Sequence, residues 1–89
     1  MAKFYSIHYT EKVRIPKLTA EQKAGLKKAI GEAATKMPKV KFNGVMWDPK
    51  TGIAVAECDA PDLKAVQEFN KAINAPPADV VIQVEPLVL

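Results

Sequence analysis

Apolar and polar residues recur along this chain with a period of two in some stretches and three to four in others, and the switches outline its elements. From Lys3 to Tyr9, Phe4, Ser6 and His8 alternate with Tyr5, Ile7 and Tyr9, which predicts a strand. Thr10 to Leu18 is a charged loop, where Pro16 has no amide hydrogen to give a ladder. Thr19 offers a hydroxyl to the free amides of a first helical turn, and Gln22 completes the spacing of a capping box. The helix predicted from Ala20 to about Lys36 carries Leu26, Ala29, Ile30, Ala33, Ala34 and Met37 on one stripe. Gly25 and Gly31 each cost such a helix about 0.5–1 kcal/mol against alanine, and close approach to a sheet would explain both.

Pro38 ends that helix, and Val40 to Trp47 is a second extended run. Asp48-Pro49-Lys50-Thr51-Gly52 reads as a turn, so Ile53 to Cys58 is expected to pair back antiparallel. Asp59-Ala60-Pro61-Asp62 opens a second helix with Leu63, Val66, Phe69, Ala72 and Ile73 as its inner stripe. Asn74 closes it, Ala75-Pro76-Pro77-Ala78 forbids continuation, and Val80 to about Glu85 is the last strand. This order, βαββαβ, predicts a ferredoxin-like α+β sandwich: a four-stranded antiparallel sheet in the order 4-1-3-2 with two helices on one face. Another two-layer α+β arrangement is the alternative. Residues 1–89 read as a single domain.

Composition narrows the functional classes. Thirteen Lys and Arg against ten Asp and Glu give a net charge of +3, spread along the chain, so nucleic-acid binding is not implied. No apolar run approaches the roughly 20 residues of a membrane-spanning helix. Cys58 is the single cysteine and excludes an internal disulfide, and without a secretory start the expected compartment is the cytoplasm. Phosphate-cradling glycine loops and activated-serine elbows are also missing.

Strand parity supplies the candidate site, because alternate residues face opposite sides of a sheet and the helices cover one side. Ala54, Ala56 and Cys58 are expected beneath the helices, with Ile53, Val55 and Glu57 on the open face. Val80, Ile82 and Val84 of the last strand, and Tyr5, Ile7 and Tyr9 of the first, are likewise expected to face the helices. That sends Phe4, Ser6, His8, Gln83 and Glu85 outward, so that His8, Glu57 and Glu85 converge as a ligand site with His8 as a metal ligand. Imidazole suits both roles, being a common metal ligand and the side chain that titrates nearest neutrality. The open face, bearing Phe4, Val55 and Trp47, is too apolar to stay in water and predicts a homodimer packed face to face as a dimeric α+β barrel. The tail Pro86-Leu87-Val88-Leu89 is expected to lie across the partner.

The stretches Glu57-Cys58-Asp59-Ala60-Pro61-Asp62, Ala75-Pro76-Pro77-Ala78-Asp79-Val80 and Val84-Glu85-Pro86-Leu87 resemble the DUF4242-like group of small nickel-binding proteins. The resemblance implies a ferredoxin-fold domain that dimerises through its sheet and binds a small ligand or a transition metal, nickel above all, in the dimer cleft. A dimeric α+β barrel enzyme of monooxygenase or isomerase type and a protein-interaction module are the alternative readings.

Overall fold

A computed structural model describes residues 1–88. Its elements follow in the order β1 (Ala2–His8), α1 (Ala20–Lys36), β2 (Lys41–Trp47), β3 (Ala54–Ala60), α2 (Leu63–Ala72) and β4 (Val80–Val84). The strands form one antiparallel sheet ordered β2-β3-β1-β4, and the helices pack on one face, so the fold is ferredoxin-like α+β. Leu89, the last residue of the expected partner-crossing tail, lies outside the described residues.

The helix starts are encoded locally. Thr19 Oγ1 accepts the Gln22 amide hydrogen at 3.1 Å and Gln22 Oε1 accepts that of Thr19 at 2.9 Å, satisfying two otherwise free donors. Asp62 caps α2 by accepting from the Ala65 amide at 2.8 Å. The α1 stripe falls where its spacing predicts, with Ala33 buried and Leu26, Ala29, Ile30, Ala34 and Met37 half-buried. The α2 stripe is narrower than expected, because Val66 and Phe69 are buried while Leu63 and Ala72 face out.

Two expectations about backbone and parity are overturned. A methyl group at Gly25 or Gly31 would meet nothing within 4 Å, so neither glycine marks a close approach to the sheet. In β1 the residues under the helices are Phe4, Ser6 and His8, paired across to Cys58, Ala56 and Ala54. Paired residues share a face, so Tyr5 and Ile7 lie on the open side, together with Ile82 and Val80 of β4. Val81, between them, packs against the core. Size explains the choice: the slots opposite the alanines of β3 hold Ser6 and His8 under the helices, and the bulky alternation of β1 and β4 goes to the other face.

The packed core gathers Phe4, Cys58 and Ala60 of the sheet with Ala33 of α1 and Val66 and Phe69 of α2. Phe69 stacks on Phe42 of β2 with ring centroids 5.5 Å apart. Phe42 and Val45 both face the helices although they are three apart, because the β2 register shifts between Phe42 and Gly44 and leaves Asn43 as an extra residue. The core therefore fills the end of the sandwich nearest Phe4. Beneath the first half of α1, where β3 offers only Ala54 and Ala56, the layers stand apart.

Candidate functional site

That gap is a hollow of about 290 Å³, with Ala56 and His8 on its sheet side and Leu26 and Ile30 of α1 and Ile73 at the C-terminal cap of α2 among the residues lining it. Ala56 helps to make it, since a methyl side chain at the middle of a central strand cannot reach across the layers. Loops line the remaining sides, Ile15 and Pro16 before α1 and Asn74 to Pro76 after α2. Asn74 takes φ 55°, the left-handed conformation that asparagine tolerates, and this turns the chain past the hollow.

The loop before α1 is held from both sides. Trp47 Nε1 donates to the Ile15 carbonyl at 3.0 Å, and the Ile15 amide donates to the Gly52 carbonyl at 2.8 Å. Gly52 is required twice over: its φ is 81°, and a side chain there would come within 2.9 Å of the Ile15 oxygen. At the other end of the loop, Asp79 accepts the Tyr9 and Thr10 amide hydrogens at 2.6 and 2.9 Å and the Thr10 hydroxyl at 2.5 Å. Partial burial works against ionisation of Asp79, yet these donors together hold its carboxyl below the ordinary range.

His8 is the one buried polar side chain on this lining. It is 6% exposed, and its Nδ1 is buried with no hydrogen-bond partner, while the neighbouring Asn70 amide donates to Ser6 Oγ at 3.2 Å. An apolar hollow with a few polar side chains on its lining, here His8, Gln22, Asn70 and Asn74, is how small-molecule sites are built: carbon supplies affinity and the polar groups fix orientation.

The three residues expected to converge do not meet. His8 is on the helix face, Glu57 is on the open face, and Glu85 follows the end of β4 as an exposed residue. Glu57 accepts the Tyr5 hydroxyl hydrogen at 2.8 Å and lies 3.3 Å from Lys3 Nζ, which is 3.8 Å from Asp59. The Tyr5 hydroxyl first, and then the Lys3 ammonium, hold the Glu57 carboxyl below its usual range. Among the described residues no group of three His, Cys, Asp or Glu side chains is placed to hold a metal ion, so the residues do not fit the nickel site that the resemblance implies, with His8 as its ligand. Cys58 is buried as expected, and desolvation, followed by the nearby Asp59 and Glu57 charges, pushes its thiol up.

The open face is apolar, with different members from those predicted. Phe4 is in the core at 2% exposed and Trp47 turns to the helix side to bond Ile15, whereas Val55 lies outward as expected. With Val55 stand Tyr5, Ile7, Val80, Ile82 and Met46, the last 78% exposed.

No family model and no curated protein matches this chain. Among solved structures, the crystal structure of SCO4226 from Streptomyces coelicolor A3(2) is similar over 99% of this chain and 100% of that one, with a TM-score of 0.75 and 23% sequence identity. At that identity the similarity speaks for the fold alone. No helix among the described residues is long and apolar enough to cross a membrane.

Proposed function

We propose that the protein is a homodimeric small-ligand-binding protein whose ligand lies in the hollow between helices and sheet. The observation that carries this reading is the largely apolar hollow of about 290 Å³ itself, with Leu26, Ile30, Phe42, Val45 and Ile73 as its carbon wall and Asn70 and Asn74 as polar groups on its lining. Carbon walls of this kind hold an apolar body, at about 25 cal/mol for each Å² of apolar surface taken from water, and a few polar lining groups orient it. The dimeric part of the reading is supported by the open face, where Tyr5, Ile7, Val55, Ile82 and Met46 form an apolar surface of the kind that a second sheet covers. The single buried thiol suits a reducing compartment, and the cytoplasm is the one we propose.

The test uses prodan, a neutral naphthyl ketone whose emission shifts to the blue in apolar surroundings. Ala56→Leu is expected to fill the hollow and abolish the shift, while Val55→Asp, on the open face, leaves it intact. A shift that survives Ala56→Leu and disappears in Val55→Asp would move the site to the cleft between two sheets and overturn the assignment to the hollow.

A further inference from the structure

A second depression adjoins the hollow. It has a volume of about 490 Å³ and lies at the β2 side, and Leu26, Ile30, Phe42 and Val45 line both spaces. The two are therefore compartments of one apolar trough running beneath the inner stripe of α1. Lys23 and Lys27 line the outer compartment one helical turn apart, so that their ammonium groups emerge on the same side of the helix. Neither takes part in an ion pair among the described residues, and no Asp or Glu lines either compartment. The Lys23 ammonium lies 5.4 Å from the centroid of the Trp47 ring, a contact weaker than a charge-assisted hydrogen bond to a carboxylate.

We propose that the trough takes an elongated apolar monocarboxylate, with its carboxylate between Lys23 and Lys27 and its hydrocarbon body directed inward under Leu26 and Ile30 towards His8. This rests on the reading of the hollow as a ligand site and adds the charge and shape of the ligand. Two cations facing no lining carboxylate favour an anion, and walls of Leu, Ile, Phe and Val exclude a small, fully hydrated one such as inorganic phosphate. Carboxylate binding draws Lys23 off the Trp47 ring, and Trp47 is the only tryptophan in the chain.

The experiment titrates decanoate, below its micelle concentration, against 1-decanol while following Trp47 emission and displacement of prodan. The wild-type protein is expected to bind the acid about tenfold more tightly than the alcohol. In the double variant Lys23→Gln/Lys27→Gln that preference for the acid over the alcohol should fall to within about twofold. Equal affinity for acid and alcohol in the wild type, or a preference that survives the double substitution, overturns the proposal. If neither compound binds while prodan still responds to Ala56→Leu, the ligand class is wrong and the hollow remains a site. Absence of any prodan response in the wild type removes the site itself, and the proposal with it.

Discussion

The indole nitrogen of Trp47 donates to the Ile15 carbonyl across 3.0 Å and so fastens the loop before α1 to the end of β2. Because Ile15 and Pro16 form one wall of the hollow, this bond sets how firmly that wall stands. Trp47→Phe keeps the aromatic bulk and loses the donor. It is expected to lower stability by about 0.5–1.5 kcal/mol and to speed amide exchange at Val13 to Ile15 before the rest of the fold opens, as hydrogen-exchange mass spectrometry would detect. Exchange that stays unchanged in this loop would show that the bond does not hold it.

Glycine substitutions should divide by position. Gly25 and Gly31 are helical and face open space, so Gly25→Ala and Gly31→Ala are each expected to raise unfolding free energy by about 0.5–1 kcal/mol, with an unchanged denaturant slope. Gly52→Ala should do the reverse, losing about 1–2 kcal/mol from the left-handed backbone alone and more from the contact with Ile15. A stabilised Gly52→Ala protein would contradict the described turn.

Acid should weaken the fold through Glu57. Its folded carboxyl titrates below the ordinary glutamate value, so its contribution is complete above the unfolded value of about 4.3 and is lost as pH falls from there through the folded one. Glu57→Gln should flatten this part of the stability-against-pH curve, and Tyr5→Phe should move the Glu57 titration, followed by NMR, upward towards the ordinary range. An unchanged titration in Tyr5→Phe would show that the hydroxyl is not its principal stabiliser.

The Cys58 thiol should be unreactive in the native protein. It is buried, and desolvation disfavours the thiolate that attacks disulfide reagents. Labelling by an aromatic disulfide is expected to follow global unfolding, accelerating with denaturant; rapid labelling under native conditions would place the thiol at the surface.

A charge on the open face should split the proposed dimer. Ile82→Lys projects an ammonium from β4 beside Tyr5, and sedimentation is expected to report a monomer at concentrations where the parent is dimeric. A parent protein that sediments as a monomer would refute the dimer directly.

Element order, the capping box at Thr19 and Gln22, and the packing stripe of α1 were legible in the sequence because each rests on neighbours within a few positions. The faces of β1 and β4 were not, since both strands are apolar on two sides and a one-residue choice reverses every side chain. His8 was recognised as a candidate from its chemistry, but its position in the hollow depends on that choice and on the small Ala56 of the neighbouring strand β3, far away in sequence. Glu57 was assigned to the correct face, and its Tyr5 partner was not, because the Tyr5 hydroxyl reaches it only after β1 and β3 are in register.

The extra residue at Asn43 has an effect on how copies of this chain can meet. β2 is a rim of the sheet, and an incoming strand would need an unbroken row of donors and acceptors to zip onto it. The kink at Asn43 and Gly44 interrupts that row halfway, and at the opposite rim β4 is only five residues long and is soon followed by Pro86. Sideways, strand-by-strand growth into a fibre therefore finds no straight rail on either border, and the broad side of the sheet, where the proposed dimer would close, is the surface left for association.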